Sequence, residues 1–236
     1  MTLAEAGWRK IIDKPYLASS FVCLRRCGLF NQQIMPPIEF YFDPISPFAY
    51  LGSIEIERLA ARLGREVDWK PVLIGVTILK VMGLKPLPET PLKGPYLKHD
   101  AVRLAQYFGV PFRYHGLSGV NSLATLRAFV ILKQRDAQLA RLLAQRIFER
   151  LWVRGHDITA VSDIAEEAKT LSIDTASLSR DIEGDHAKSL LKQQVDAAIA
   201  AGVFGVPYFF VDGEPIWGVD RIWMVEHWAT RHCWNR

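Results

Sequence analysis

The sequence predicts an α/β fold in which an all-helical segment is inserted into a split sheet unit. Two observations carry this prediction. A strand–helix–strand pattern fills residues 38–72, and a strand–turn–strand–helix pattern closes the chain after residue 207. Between them lie six helical stretches, several of them opening on Asp, Asn or Thr. A chain of 236 residues is long enough to bury a real core around such an arrangement.

The first strand is the apolar run Ile38–Phe42. Asp43–Pro44–Ile45 makes a turn, and Ser46–Pro47 opens a helix, serine as N-cap and proline at the first helical position. Phe48, Leu51, Ile56, Leu59, Ala60 and Leu63 give that helix its apolar stripe, and Gly64 ends it. Val67–Val72 is the second strand; with so short a crossover the two strands run parallel. Thr77–Pro95 reads as a Pro- and Gly-rich loop. Helices are expected over Pro95–Phe108, Asn121–Gln134, Asp136–Val153, Thr159–Thr170, Asp174–Glu183 and Asp185–Ala201. Tyr208–Val211 and Glu214–Trp217 flank Asp212–Gly213, a hairpin signal, and Asp220 is expected to cap a last helix reaching about Arg231. The domain reading is therefore a discontinuous sheet unit over 37–80 and 202–236 with a helical insertion over 81–201. Residues 1–36 read as a leader, either disordered or not native, with Met35 as the true start.

Composition excludes several classes. Half the residues are hydrophobic and 23% are charged, as in a globular protein. No apolar run reaches the ~18 residues of a membrane span. The net charge of +4 is too small, and the basic residues too scattered, for nucleic acid. Cys23, Cys27 and Cys233 form no C-x-x-C pair, which suits a reducing, cytoplasmic setting without a disulfide framework. The six histidines show no metal-ligand spacing, so no metal site is expected and the histidines read as surface residues.

Four places could carry chemistry. Ser46 sits where the first strand hands over to the first helix, and the free N–H groups of a helix start favour an anion. Val206–Pro207 precedes a strand; such a proline is a candidate for a cis bond that leaves neighbouring backbone groups open to an extended ligand. Asp220 and Arg221, in Trp217–Gly218–Val219–Asp220–Arg221, could take an ammonium and a carboxylate. Pro91–Leu92–Lys93 lies in the loop leading into the helix that carries Tyr96–Asp100. Each also has a plainer structural reading as a cap, a strand start or a solvated loop.

Taken together and in order, these motifs resemble the kappa-class glutathione transferases, and within that group the 2-hydroxychromene-2-carboxylate isomerases. The resemblance covers residues 38–232. It rests on Phe40-Tyr41-Phe42-Asp43-Pro44-Ile45-Ser46-Pro47-Phe48-Ala49-Tyr50-Leu51, on Tyr96-Leu97-Lys98-His99-Asp100 with Gly109-Val110-Pro111, on Val203-Phe204-Gly205-Val206-Pro207, and on Trp217 to Arg221. It implies a thioredoxin-like, DsbA-like fold with an inserted all-helical domain, glutathione as cofactor, a homodimer, and a small aromatic or conjugated substrate.

Ser46 would then be the catalytic residue and hydrogen-bond the glutathione sulfur, with Pro47 and Phe48 beside it. Val206 and Pro207 would pair with the cysteinyl part. Val219, Asp220 and Arg221 would hold the γ-glutamyl end, and Pro91 and Lys93 would lie near the tripeptide. Leu84 and Val219 stand where some relatives carry polar residues, so two side-chain contacts to glutathione would be missing. Ser46 and Ala49 occupy the two positions of a C-x-x-C pair, so disulfide exchange there lacks a nucleophile. The reaction implied is the conversion of 2-hydroxychromene-2-carboxylate to trans-o-hydroxybenzylidenepyruvate, a step of naphthalene breakdown. Its rivals are a transferase or peroxidase with another electrophile, and a non-catalytic binding module. Phe108, Phe112, Phe129 and Trp152 are candidates for the wall of the substrate pocket.

Overall fold

The structure, a computed structural model, describes residues 35–116 and 119–235. The expected leader, with Cys23 and Cys27, lies outside the described residues. A four-stranded mixed sheet organises the rest, in the order β2-β1-β3-β4. β1 (Ile38–Phe42) pairs in parallel with β2 (Val67–Pro71), Phe40 facing Trp69. On its other side β1 pairs antiparallel with β3 (Tyr208–Val211), Phe40 facing Phe209. β3 turns back into β4 (Glu214–Trp217). Asp212 (φ 51°) and Gly213 (φ 86°) both take left-handed backbone, which is why Asp-Gly suits this two-residue turn.

Phe40, Phe42 and Phe209 are fully buried on one face of the sheet. Phe40 stacks on Phe209 at 5.6 Å and meets the edge of Trp69 at 4.9 Å. Burying each such ring contributes about 1.5–3 kcal/mol. α1 (Pro47–Leu63) crosses from β1 to β2. Ser46 caps it by accepting the Ala49 N–H at 3.2 Å, and Gly64 (φ 63°) closes it.

Between β2 and β3 stand α2 (Lys93–Phe108), α3 (Leu123–Arg135), α4 (Ala137–Glu149), α5 (Val161–Thr170), α6 (Thr175–Glu183) and α7 (Asp185–Ala200). Phe129 of α3 and Phe148 of α4 carry the core of this block onto Phe42, at 5.0 and 5.9 Å. Lys133 donates to the Trp69 carbonyl at 2.7 Å, and Tyr50 of α1 donates to the Pro111 carbonyl at 2.8 Å. The last helix is α8 (Ile222–Arg231).

Several expectations need correction. The segment read as a loop over Thr77–Pro95 holds a π-helical turn, Val76–Val81, and a 3-10 turn, Leu87–Glu89; α2 already starts at Lys93. The helix expected over Asp136–Val153 changes to a wider π-helical turn at Arg150–Arg154. That turn points Arg150 at Asp163, Glu166 and Glu167, and Trp152 into the core. α3 and α5 start two residues later than expected. Asn121 still accepts the Leu123 N–H, and Asp163 rather than Thr159 ties down the start of α5 through the Ala160 N–H. Asp185 is the first residue of α7, not its cap. Asp136 and Asp174 do cap α4 and α6.

Arg65 closes the back of the sheet. Its side chain is 2% exposed and donates twice to Asp212 at 2.8 Å, while Nε donates to the Pro36 carbonyl at 2.9 Å. Removing one member of a buried pair leaves the other charge uncompensated. Arg65→Ala is therefore expected to destabilise the fold by about 3 kcal/mol, measured as the change in urea unfolding free energy; a loss under ~0.5 kcal/mol would place the pair among ordinary surface bridges.

Candidate functional site

Ser46 lies at the C-terminal end of β1, where the chain enters α1, and is 7% exposed. Its hydroxyl accepts the Ala49 N–H and donates to the Val206 carbonyl across a longer gap of 3.5 Å. No imidazole or amine hydrogen-bonds to it among the described residues, so Ser46 has no base to activate it as a nucleophile. Its hydroxyl and the start of a 17-residue helix are suited instead to holding an anion. Pro47 is buried and Phe48 is half-buried beside it.

The Val206–Pro207 bond is cis, as the loop motif led us to expect. Pro207 packs against α1 at Gly52. A Cβ on Gly52 would come within 2.9 Å of Pro207 Cβ and 3.0 Å of its Cγ, so only glycine lets the loop come this close. The Pro207 carbonyl accepts the Gly218 N–H at 3.0 Å, which joins the loop to the Trp217–Arg221 segment. Three of the four expected motifs therefore form one continuous shelf: Ser46, then Val206–Pro207, then Gly218 to Arg221.

At the far end of that shelf, the structure corrects the expected cap. Asp220 does not cap the last helix; it sits in a 3-10 turn, Val219–Arg221, ahead of α8. Its carboxylate folds back over Gly218, where an added Cβ would meet Asp220 Oδ1 at 2.4 Å. Gly218 has φ 98°, a backbone that disfavours any side chain. Arg221 Nη1 donates to the Trp217 carbonyl at 2.8 Å and lies 3.6 Å from Asp220. Both charged heads stay about half exposed, at 56% and 45%. Val219 is 1% exposed, so it belongs to the core.

The fourth motif stands apart. Pro91 and Lys93 are exposed at the start of α2, and no hydrogen bond or ion pair among the described residues ties them to Ser46, Val206 or Asp220. Leu84 is 52% exposed nearby in sequence. Two of the four aromatic residues proposed for a pocket wall are core instead. Trp152 is fully buried and Phe129 is 2% exposed, each enclosed by other rings. Phe108 and Phe112 are half-buried. Two of the surface grooves among the described residues, each of about 410 Å³, do not contain Ser46; one is lined by Trp217 and Arg221.

Three residues support the site in roles that the sequence did not indicate. The Trp152 indole donates to the Pro44 carbonyl at 2.8 Å, gripping the turn before Ser46. Gly52 admits the proline loop; a glycine inside a helix costs about 1 kcal/mol against alanine, and that cost was the available signal. Asp43 is fully buried and accepts the Ile45 and Ile74 N–H groups at 3.2 and 3.0 Å. Burial pushes its carboxyl up to about 6, against the opposing pull of the Ser122 hydroxyl and those two amides. Ser122 Oγ faces the carboxyl without completing a hydrogen bond of good geometry.

Comparison with known proteins bears on the family and the fold. Residues 37–228 match the family model of the DSBA-like thioredoxin domain. A "2-hydroxychromene-2-carboxylate isomerase" of Pseudomonas putida is 28% identical over 197 residues, covering 83% of this chain and 95% of that protein. "Glutathione s-transferase kappa 2" of Caenorhabditis elegans is 27% identical over 197 residues, covering 78% and 88%. The solved structure of a 2-hydroxychromene-2-carboxylate isomerase superposes with a TM-score of 0.75 at 28% identity, covering 83% of this chain and 95% of that one.

The close approach at Gly52 can be tested directly. Gly52→Val forces branched carbon into the Pro207 ring, and overpacking of this kind costs about 1–3 kcal/mol. The urea midpoint should fall accordingly, with the cis-proline loop shifted in the variant's structure; a wild-type midpoint would show that the loop yields freely.

Proposed function

This chain belongs to the DSBA-like thioredoxin domain family, and from that membership we propose that it is a glutathione-dependent isomerase converting 2-hydroxychromene-2-carboxylate to trans-o-hydroxybenzylidenepyruvate. The observation that carries this reading is Ser46. It is a hydroxyl at a helix start, opposite a cis-proline loop, with alanine rather than cysteine at position 49. The site keeps the anion-binding geometry of a thioredoxin-like fold but has no thiol of its own there.

The groups on the shelf suit a tripeptide thiol. Ser46 and the first turn of α1 are the donors that a thiolate needs. Among the described residues no backbone bond engages the Val206 N–H, which leaves it for the cysteinyl peptide. Asp220 and Arg221 present a carboxylate and a guanidinium to the charged γ-glutamyl end. Pro47 and Phe48 would flank the sulfur, and Pro91 and Lys93 would approach from the helical side. Glutathione, when bound, supplies a thiolate that adds reversibly to a conjugated carbon, frees the double bond to rotate, and departs unchanged. In this division the thioredoxin-like part, 37–80 and 202–236, holds glutathione, and the insertion, 81–201, faces the substrate. A cytoplasmic homodimer completes the reading.

The magnitudes assign Ser46 its role. A free thiol ionises near 8.5, and lowering that by two units takes about 2.7 kcal/mol. A helix start supplies about 0.3–1 kcal/mol. A hydrogen bond to a charged group supplies about 1.5–3 kcal/mol. The helix alone falls short; with the Ser46 hydroxyl the requirement is met. Swinging from the long Val206 contact to a sulfur costs the hydroxyl little.

A second reading, a kappa-class-like transferase or peroxidase, is favoured by the kappa relative, which is as similar to this chain as the isomerase. Glutathione turnover separates the two. With glutathione and 2-hydroxychromene-2-carboxylate, the spectrum should report isomerisation while total free thiol stays constant. Thiol loss with a generic electrophile and no isomerisation would establish the transferase instead. Ser46→Ala should lower bound thiolate, read by its ultraviolet absorbance, roughly ten- to hundred-fold; an unchanged signal and rate would remove Ser46 from this role.

A further inference from the structure

The glutathione reading leaves one ionisable group of the site without a task. Asp43 begins the four-residue turn whose last member is Ser46; its own carbonyl accepts the Ser46 N–H at 3.0 Å, so the two residues lie within about 7 Å. Its side chain is fully buried. Oδ1 holds the Ile45 N–H inside the turn, and Oδ2 holds the Ile74 N–H, on the segment that leaves β2. The Ser122 hydroxyl, at the start of α3, approaches from the helical insertion. No charged side chain among the described residues acts on it from any of these elements; only that hydroxyl and the two amides favour its ionised form. A buried carboxylate without a cation costs stability that a neutral side chain of the same shape would spare. Groups kept at such a cost cluster at functional sites.

We propose that Asp43 is a positioning residue for the thiolate site: its ionised carboxylate, through the Ile45 and Ile74 amides, fixes the turn that aims the Ser46 hydroxyl at sulfur. This inference rests on the glutathione reading. A charged acceptor makes hydrogen bonds roughly twice as strong as a neutral one, so protonation of Asp43 loosens both amide contacts together. Burial dominates the ionisation of Asp43 and raises it to about 6. The ionised, gripping form therefore prevails above that pH and is lost as the pH falls through it. Bound thiolate then falls more steeply with pH than its own proton alone requires, because Asp43 takes up a proton over the same range.

The test is the pH profile of bound glutathione thiolate in the full chain and in Asp43→Asn. The wild type should lose thiolate below about pH 6 with a logarithmic slope clearly above one, about 1.5 at its steepest for a ten-fold effect. Asp43→Asn, whose amide sets a donor against one of the two N–H groups, should hold about ten-fold less thiolate at neutral pH and follow a slope of one. A slope of one in the wild type overturns the proposal, whether or not the variant folds. A slope equally above one in the folded variant overturns it as well. A wild type that binds no thiolate at any pH refutes the glutathione reading itself. The amide resonances of Ile45, Ser46 and Ile74 in the ligand-free protein then decide whether Asp43 grips the turn: joint titration near pH 6 supports it, and pH-independent shifts overturn it.

Discussion

The turn from Asp43 to Ser46 is the constraint on which the rest of the site depends. It joins the central strand to the helix whose first residues face the ligand shelf. Every residue of it is held by something distant in sequence or by the turn itself. The Asp43 carboxylate takes the Ile74 amide, the Pro44 carbonyl takes the Trp152 indole, Ile45 bonds back to Asp43, and Ser46 closes the turn and caps α1. A turn held in this way costs no ordering when a ligand arrives, which is how a weak donor such as a serine hydroxyl becomes effective.

One of those restraints, the Trp152 indole on the Pro44 carbonyl, comes from the helical insertion. Trp152 is delivered by the π-helical turn Arg150–Arg154, whose Arg150 is 6% exposed and anchored on three carboxylates and the Asp157 carbonyl. Trp152 in turn stacks on Phe112, and Phe112 on Tyr50 of α1. The insertion thus reaches the turn from below and the first helix from the side. Wider helical turns often mark functional positions, and here the widening redirects an indole towards the site.

The chemistry follows from a substitution in the logic of the fold. A thioredoxin-like site with cysteines supplies its own thiolate; here Ser46 and Ala49 carry no thiol, and in the function proposed above a bound thiol takes that part. Among the described cysteines, Cys233 is free and exposed at the far end of α8, away from the turn. The protein's contribution is then electrostatic and geometric: one hydroxyl, one helix start, one peptide edge and one pair of charged heads, arranged along a shelf made continuous by the Pro207–Gly218 hydrogen bond.

Much of this was legible in the sequence because it is local. The strand periods, the Ser-Pro helix start, the Asp-Gly hairpin and the caps at Asp136 and Asp174 depend on residues within a few positions of one another, and all were found where the pattern put them. The order of motifs also named three parts of the shelf. What the sequence could not decide is what long-range packing decides. A helix glycine at position 52 carries no local sign that a proline 155 residues later will press against it. An aspartate after a strand looks like any turn residue until burial removes its water. Trp152 and Phe129 look equally fit for a pocket wall or a core, and only the closure of the insertion onto Phe42 and Pro44 puts them in the core. Asp220 reads as a cap by its type, but the Gly218 backbone folds its carboxylate away from α8 and towards the shelf. Local propensity set the elements; the contacts between them, made across more than a hundred residues, set which side chains line the shelf.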